Sequence, residues 1–253
     1  LEYKTKLNII EYLYYYNGGG VSVGDINNDG LEDIYFSANL LPDRLYLNQG
    51  NLKFKDITVE AGLSIENSWS NGVNFEDVNL DGFLDIYVTK VSPISPTKSH
   101  NLLYINNGNL TFTERSSEFG LDFSGFSTQA TFLDYDRDGD LDVYLLNHAI
   151  HTVRSYGTSD KRVESDSLSG DKFYENKVNE IEGRFVEVTR KVNIYDSPLG
   201  YGLAITASDI NDDGWLDIYV GNDFHENDYI YINNKDKTFS ESIKKSIYHS
   251  THF

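Results

Sequence analysis

The chain contains Val73-Asn-Phe-Glu-Asp-Val-Asn-Leu-Asp-Gly-Phe-Leu-Asp-Ile-Tyr87, and three other segments repeat this pattern. Each copy has an apolar approach, an Asp-rich turn with a central Gly, and a second apolar run that ends in Tyr. The other copies begin at Val21, Ala130 and Ile205. Recurrence of one pattern along a chain indicates a repeat architecture, in which every copy is one supersecondary unit.

Two further elements follow each copy of this stretch. The first is a Tyr-x-Asn run, present as Arg44-Leu-Tyr-Leu-Asn48, Leu102-Leu-Tyr-Ile-Asn106, Lys172-Phe-Tyr-Glu-Asn176 and Tyr229-Ile-Tyr-Ile-Asn233. The second begins at Phe54, Phe112, Phe185 and Phe239. Each unit therefore has four short runs rich in β-forming residues, separated by turn residues. Four antiparallel strands per unit are the build of a propeller blade. We predict an all-β fold, a β-propeller fragment of about four four-stranded antiparallel blades.

The repeats organise the chain as one partial propeller domain over residues 1–253. We place the repeats at about 17–63, 71–121, 127–194 and 201–247, and interpret 248–253 as the start of a fifth, inside a larger propeller. Additional length falls between the second and third strands, in inserts at 90–100, 147–171 and 221–227. A long loop without strand pattern, such as 147–171, is usually functional or mobile.

The Asp-rich turns have the ligand spacing of a hard cation site. Oxygen side chains stand at positions 1, 3 and 5, Gly at position 6 permits a sharp turn, position 7 offers a backbone carbonyl, and position 9 is a carboxylate. Positions 1, 3, 5, 7 and 9 are Asp25, Asn27, Asp29, Leu31 and Asp33; Asp77, Asn79, Asp81, Phe83 and Asp85; Asp134, Asp136, Asp138, Asp140 and Asp142; and Asp209, Asn211, Asp213, Trp215 and Asp217. An all-oxygen set in a flexible loop favours Ca²⁺, whereas Zn²⁺ prefers Cys or His ligands.

Two alternatives to a strand–loop–strand calcium site can be weighed on the same residues. An EF-hand requires Glu at position 12. That position is apolar in every copy, as Phe36, Val88, Leu145 and Val220. A hairpin turn without metal is the other alternative, and four copies in register argue against it. We predict about four Ca²⁺ ions, each mainly structural, that hold the hairpin between strands one and two.

Composition limits the classes of partner. The net charge is −19 and the chain has no Cys. Such a surface repels nucleic-acid phosphate and anionic lipid, and no disulfide framework is possible. No stretch of the sequence has the ~18 apolar residues of a membrane span. We therefore expect no nucleic-acid partner and no direct membrane insertion.

The inserts lie, by strand order, on the face opposite the Asp-rich turns. All six His map there: His100, His148, His151, His225, His249 and His252, with Arg154, Tyr156, Lys161 and Arg162 in the longest insert. One interpretation makes this face the site for a protein or glycan ligand, and the other is that surface loops collect polar residues. Asp223, His225 and Glu226 form a compact cluster, either an ordinary polar loop or a second metal or acid/base site.

The repeats resemble the FG-GAP/VCBS class, the calcium-loop blades of integrin α-like propellers. The resemblance is carried by Asn17-Gly-Gly-Gly20, by Asp-Gly-Leu-x-Asp-Ile at 29–34, by Leu-Tyr-Leu-Asn at 45–48 and by Ile57-Thr-Val-Glu-Ala-Gly-Leu63. These runs look like secreted bacterial proteins with ASPIC/UnbV domains. The resemblance implies seven blades, an extracellular or cell-envelope location, and adhesion or ligand and glycan binding. It also implies metal ligation at the loop positions given above. No copy has a literal Phe-Gly followed by Gly-Ala-Pro.

Three function classes follow from these observations. We predict a non-enzymatic calcium-binding propeller for adhesion or for ligand or glycan binding. The alternative is a propeller-based hydrolase or lyase, with its site on the face opposite the calcium loops. A third class is a structural spacer without a ligand. An enzyme should show a carboxylate pair or His dyad outside the metal loops, and the sequence does not place such a pair.

Overall fold

The computed structural model describes residues 15–66, 68–91, 100–149, 159–180, 183–223 and 226–247. It divides into two compact units, residues 1–126 and 127–253. Each unit contains two antiparallel sheets. Each sheet has four strands that follow one another in chain order, which we call its principal strands, and one sheet has an additional short strand. Alternating apolar residues and short turns produce these strands, because one side of each sheet is buried against its neighbour within the unit.

The first unit contains sheets 1 and 2. Sheet 1 has the order β1-β2-β4-β5, and sheet 2 has the order β3-β6-β7-β8-β9. The short β3 follows the second strand of sheet 1 but pairs with β6. The strands are β1 (Val21–Gly24), β2 (Asp33–Phe36), β3 (Asn39–Leu41), β4 (Arg44–Asn48), β5 (Phe54–Asp56), β6 (Ser68–Glu76), β7 (Asp85–Lys90), β8 (Leu102–Asn106) and β9 (Phe112–Glu114).

The second unit contains sheets 3 and 4, of four antiparallel strands each. Sheet 3 has the order β10-β11-β12-β13, and sheet 4 has the order β14-β15-β16-β17. The strands are β10 (Ser127–Leu133), β11 (Asp142–Asn147), β12 (Lys172–Glu175), β13 (Val186–Glu187), β14 (Gly202–Ser208), β15 (Asp217–Asn222), β16 (Tyr229–Asn233) and β17 (Phe239–Glu241).

Helical structure among the described residues is confined to short segments. These are α1 (Ser116–Phe119), a 3₁₀ turn at Ser159–Val163, and α2 (Ile243–Ser246). Within the described part of the chain, no helix has the length and apolar character needed to span a bilayer.

Each unit buries one hydrophobic core between its two sheets. In the first unit Ile26, Tyr35 and Leu45 of sheet 1 belong to the same buried cluster as Phe75 and Val88 of sheet 2. In the second unit, the cluster joins the two sheets in the same way. Tyr and Phe dominate the second cluster, which agrees with the aromatic composition and with the preference of aromatic residues for strands.

The all-β prediction is confirmed, and the four antiparallel sheets are consistent with propeller blades. Two details differ. The short strand β3, which adds a fifth strand to sheet 2, was not predicted from the sequence. The third insert also begins later than predicted, because β15 continues through Asn222. The positions of the domain boundaries and the total number of blades stay predictions.

Candidate metal centre

Each Asp-rich turn connects the first and second principal strands of its sheet. We number them loop 1 (25–33), loop 2 (77–85), loop 3 (134–142) and loop 4 (209–217). In loop 1, Asp25 directly follows β1 and Asp33 begins β2, with Asp33 paired to Gly24 across the hairpin. The other loops have the same arrangement. The loops are thus flanked by strands, as the sequence analysis predicted for this site type.

Left-handed backbone makes the loops compact. The Gly at position 6 has positive φ in every loop, for example +84° at Gly30 and +94° at Gly139. Position 4 is also left-handed, with φ of 58° at Asn28 and 62° at Arg137. Asn adopts this region more readily than other non-Gly residues. The sequence analysis predicted the role of Gly at position 6 but did not identify position 4.

Backbone N–H groups orient the carboxylates at positions 1 and 5. In loop 1, Asp25 accepts hydrogen bonds from the N–H groups of Asp29, at 3.0 Å, and Gly30, at 2.7 Å. Asp29 in turn accepts from the N–H of Leu31 at 2.9 Å. Loops 2 and 4 repeat all three bonds. These oxygens are therefore held around the inside of the turn before any ion is considered.

Loop 3 gathers the most carboxylate oxygens. Asp134, Asp136 and Asp138 each offer one oxygen, and these atoms lie within 4.8 Å of one another. Oδ1 of Asp134 and Oδ1 of Asp140 are buried and have no hydrogen-bond partner among the described residues. Burial and the adjacent carboxylate of Asp138 raise the pKa of Asp140 to about 7. Unsatisfied carboxylate oxygens on several acids in one turn fit a hard divalent cation, because the cation offsets both the burial and the like-charge repulsion.

The position-9 carboxylates have a second role that the sequence analysis did not predict. Each is buried and accepts two backbone N–H groups, one from loop position 2 and one from the Asn of the Tyr-x-Asn run. In loop 2 these donors are Val78, at 3.2 Å, and Asn106, at 2.8 Å. Loops 1, 3 and 4 have the same pair of bonds. Burial raises the pKa of Asp85 to about 7 and the pKa of Asp142 to about 8.

Amide and ammonium groups of the protein already contact some of the predicted metal-ligand carboxylates. Asn27 Nδ2 donates to Asp29 Oδ2 at 3.0 Å, and Asn79 makes the equivalent bond in loop 2. The ammonium group of Lys237 contacts Asp136, and that of Lys235 lies 3.2 Å from Asp213. A cation at these loops would have to share or replace these contacts, which partly neutralise the carboxylates.

Neighbouring loops of one unit are linked directly. Asn28 Nδ2 of loop 1 donates to the carbonyl oxygen of Gly82 in loop 2 at 3.0 Å. In the second unit, Arg137 of loop 3 donates to the carbonyl oxygen of Gly214 in loop 4. The Arg137 guanidinium also lies 4.5 Å from the ring centroid of Trp215. The side chain at position 7 of loop 4 therefore contributes to a contact between loops, whatever its backbone carbonyl does.

The Asn of each Tyr-x-Asn run ties its strand to the loops. Asn106 Nδ2 donates to Leu84 O of its own sheet at 3.0 Å and to Ile26 O of sheet 1 at 2.8 Å. Asn233 makes the corresponding bonds to Leu216 O at 3.3 Å and Tyr135 O at 2.8 Å. The presence of this Asn in all four copies was the sequence signal, but sequence alone did not indicate its acceptors.

The opposite end of each sheet has its own repeated contact. The Tyr at the third residue of the second principal strand forms a side-chain hydrogen bond with an Asp or Asn three residues before the Tyr of the Tyr-x-Asn run. In sheet 3, Tyr144 donates to Asp171 Oδ2 at 2.7 Å, and Asp171 Oδ1 accepts from Asn147 N at 2.8 Å. The sequence signal was an Asp or Asn at 43, 101, 171 and 228, which the sequence analysis overlooked.

The residues predicted for the binding face of the inserts differ in their burial and contacts. His148 is buried, which contradicts its assignment to a binding surface, because the bridge to Tyr201 encloses it. The Glu226 side chain is only 3% exposed; it pairs with Arg162 at 2.5 Å and accepts from Tyr229 at 2.8 Å, so this part of the Asp-x-His-Glu cluster has structural partners. His100 is exposed. The others, His151, His225, His249, His252, Arg154 and Tyr156, lie outside the described residues.

The loop geometry agrees with the comparison to protein-family models. The FG-GAP-like repeat model matches residues 25–88, 94–145 and 209–252, which together make up more than half of the chain. The chain belongs to the FG-GAP-like repeat family. The matched segments include all four loops, and two of them begin at the first Asp of loops 1 and 4. The resemblance inferred from the sequence is therefore confirmed.

Curated proteins with similar sequences include two kinds of relative. Mouse cartilage acidic protein 1 is 33% identical over 141 residues, which is 53% of this chain and 20% of that protein. The Xenopus tropicalis protein of the same name is 32% identical over 140 residues. Chicken integrin alpha-8 is 30% identical over 112 residues, 39% of this chain and 10% of the integrin. The FG-GAP chain thus matches a fifth or less of the length of these relatives.

Proposed function

We propose that this FG-GAP chain is a calcium-binding part of an extracellular or cell-envelope propeller, in which the ions are structural and the insert face binds a protein or glycan ligand. The observation that carries the calcium proposal is loop 3, where three carboxylates converge and two buried oxygens have no hydrogen-bond partner among the described residues. The same ligand spacing recurs in the other three loops.

Electrostatics support a bound cation. At position 9 of loops 1, 2 and 3, burial and the other loop acids raise the pKa values of Asp33, Asp85 and Asp142, because both disfavour the charged form. Ca²⁺ would reverse this preference by placing positive charge beside them. An ion at a loop would hold the start of the second strand and, through the position-9 Asp, the end of the third strand. This is the basis for a structural role.

Location and ligand class are supported by the family and by the relatives. Matches to an integrin α-chain and to cartilage acidic protein 1 favour an adhesion-type role outside the cell. A non-enzymatic role is supported by the structural partners of Glu226, one member of the Asp223, His225 and Glu226 cluster that was the acid/base alternative on the insert side. Binding would then fall to the exposed parts of the inserts.

Calcium titration calorimetry tests the proposal. We expect uptake of up to four ions, and we expect the Asp134→Asn/Asp138→Asn double variant to lose one of them, because it removes charge from one loop without changing side-chain shape. Asp122→Asn, at a position outside the loops, is the matched control. Absence of uptake by the folded wild-type chain would reject calcium binding. A protein and glycan array, run with calcium and with chelator, then addresses the ligand.

A further inference from the structure

One turn of the second unit brings two ammonium groups to the predicted calcium loops. This turn, at 234–238, connects β16 to β17. The Lys235 ammonium lies 3.2 Å from Oδ2 of Asp213, at position 5 of loop 4. The Lys237 ammonium contacts Oδ2 of Asp136, at position 3 of loop 3. The turn therefore places positive charge on carboxylates that the sequence predicts to be metal ligands.

Hydrogen bonds hold the backbone of this turn. The N–H of Asn234 donates to the carbonyl oxygen of Thr238 at 2.9 Å, and the N–H of Thr238 donates to Asp236 Oδ1 at 3.1 Å. Lys235 and Lys237 both have left-handed backbone, with φ of 66°. Both lysines thus start from an ordered backbone, and only their side chains have to be positioned to reach the loops.

The contact in loop 3 is the more enclosed of the two. The side chain of Asp136 is 1% exposed, compared with 26% for Asp213 in loop 4. Oδ1 of Asp136 accepts the N–H of Asp138 at 3.2 Å, so the ammonium of Lys237 contacts the other oxygen. An ion pair with a buried carboxylate is less screened by water than one at the surface. We therefore expect Lys237 to matter more than Lys235.

Glu175 gathers further ammonium groups beside loop 3. The middle residue of the Tyr-x-Asn run is apolar in the other three copies, whereas sheet 3 has Glu175. Its carboxylate lies 3.1 Å from Lys177 Nζ and 3.4 Å from Lys191 Nζ. Lys237 Nζ lies 3.7 Å from the same carboxylate. Lys237 therefore has a second carboxylate within reach besides that of loop 3.

The equivalent turn of sheet 2 carries no such charge. Counted from the Asn of the Tyr-x-Asn run, Gly108 and Leu110 take the places of Lys235 and Lys237. The turn itself lies close to loop 2, since a Cβ added at Gly108 would be 3.1 Å from the ring of Phe83. The ion pairs described for the first unit all lie outside loops 1 and 2. In those loops the position-5 carboxylate accepts instead from the neutral amide at position 3.

We propose that Lys237 and Lys235 are internal competitors of calcium, which weaken binding of the ion at loops 3 and 4 until it displaces their ammonium groups. This inference rests on the calcium binding proposed above. An ammonium and a divalent ion on one carboxylate repel each other, so the ion binds only at the expense of the lysine contact. Loops 1 and 2 lack this competition, because a neutral amide does not repel the ion. Displaced from Asp136, Lys237 retains Glu175 as its partner.

Calcium titration calorimetry on charge variants tests this inference. Lys237→Gln removes the charge but keeps a neutral amide donor, as in loops 1 and 2. We expect it to bind one calcium ion about five- to tenfold more tightly than the wild type, and Lys235→Gln about two- to threefold, because Asp213 is more exposed. Lys237→Arg retains the charge and should bind like the wild type. Lys244→Gln, at an exposed position of α2, removes the same net charge and is the matched control.

The Asp134→Asn/Asp138→Asn variant assigns the effect to loop 3. Lys237→Gln added to that variant should no longer change calcium affinity, because the site with which Lys237 competes is lost. A gain that persists in this background would overturn the inference, as would an equal gain in Lys244→Gln. Uptake of calcium with the same affinity by the wild type and Lys237→Gln would overturn it while calcium binding stands. Absence of uptake by the wild type would instead reject the calcium proposal, and this inference with it.

Discussion

At the residue scale, the last Asp of each loop has two roles: it is a predicted metal ligand, and it accepts two backbone N–H groups. The spacing of the ligands in the sequence indicates only the first role. Asp85 is a predicted calcium ligand, yet both of its oxygens already accept backbone N–H groups. A carboxylate oxygen has more than one lone pair, so hydrogen bonding and metal ligation are compatible. The structural role is present without an ion, and it can therefore be tested without one.

We predict that Asp85→Asn is destabilising in the presence of chelator. The amide has one acceptor oxygen where the carboxylate has two, so one buried N–H loses its partner and faces an NH₂ group. The expected cost is about 1–3 kcal/mol in the free energy of unfolding, measured by urea denaturation. Asp81→Asn, at the exposed position 5 of the same loop, is the control. Equal effects of the two variants would contradict the structural role of Asp85.

His148 should make the stability of the folded chain depend on pH. Burial lowers the pKa of His148 from 6.5 to about 4. The unfolded chain therefore takes up a proton near pH 6.5 while the folded chain does not, so this stability is present above pH 6.5 and is lost as the pH falls. From pH 7 to about 5 the expected loss is about 2 kcal/mol.

His148→Gln should reduce that loss, because Gln does not titrate. Melting temperatures of the variant and the wild type, measured across this pH range, provide the test. The difference between the two proteins should grow as the pH falls, with the carboxylates common to both cancelling in the comparison. Parallel curves for the two proteins would show that His148 is protonated in the folded chain.

At the element scale, the Tyr–Asp contact fixes where the third strand begins after inserts of very different length. Tyr144 and Asp171 are 27 residues apart in sequence, and Tyr219 and Asp228 are 9 apart, yet each pair forms the same bond. Sheet 2 uses Asn101 in place of Asp. The contact therefore requires a polar side chain at this point but not a charge.

Tyr144→Phe should cost about 1–3 kcal/mol in the free energy of unfolding, because it leaves a buried carboxyl oxygen of Asp171 without its donor. Tyr219→Phe should cost less, because its surroundings are only partly buried. Asp171→Asn should be tolerated better than Tyr144→Phe, as Asn already occupies this place in sheet 2. Urea denaturation of the three variants gives the ranking. A larger effect of Tyr219→Phe would contradict our assignment of burial as the cause.

At the scale of the whole molecule, the Asn residues of the Tyr-x-Asn runs in sheets 2 and 4 donate to the sheet that precedes them in their unit, whereas Asn48 of sheet 1 donates within its own sheet. Asn106 joins two sheets, whereas Asn48 donates to an acceptor in its own sheet. The same Asn at the same repeat position therefore contributes differently to the free energy of unfolding, because only Asn106 also bonds to a neighbouring sheet.

We predict that Asn106→Ala destabilises the chain by about 1 kcal/mol more than Asn48→Ala, which corresponds to one additional net hydrogen bond. Urea denaturation of the two variants and of the wild type provides the test. Equal costs would show that the Asn106–Ile26 bond contributes nothing to stability.

Repetition in the sequence was sufficient to predict the all-β class, the strand-flanked loops and the family. Local chemistry explains this success, because strand alternation and the Gly at position 6 depend on near neighbours in the chain. The loop ligands remain a prediction, and in loop 1 the side chains at positions 1, 3 and 5 form hydrogen bonds within the same turn. Position 4 and β3 were not predicted. Position 4 differs among the loops, and Leu80 and Arg137 give no residue-type signal for left-handed backbone.

The sequence by itself determined the repeating unit, because the order of strands and turns is written in consecutive residues. Only the tertiary structure decided which of the repeated residues are buried. His148, Glu226 and Asn106 receive their partners from segments distant in sequence, and Phe36 differs from Val88 because a neighbouring sheet covers only the second of them. The physical reason is that burial and long-range hydrogen bonding depend on what packs against a residue. Equivalent positions of the repeat have the same sequence pattern whether or not another sheet covers them.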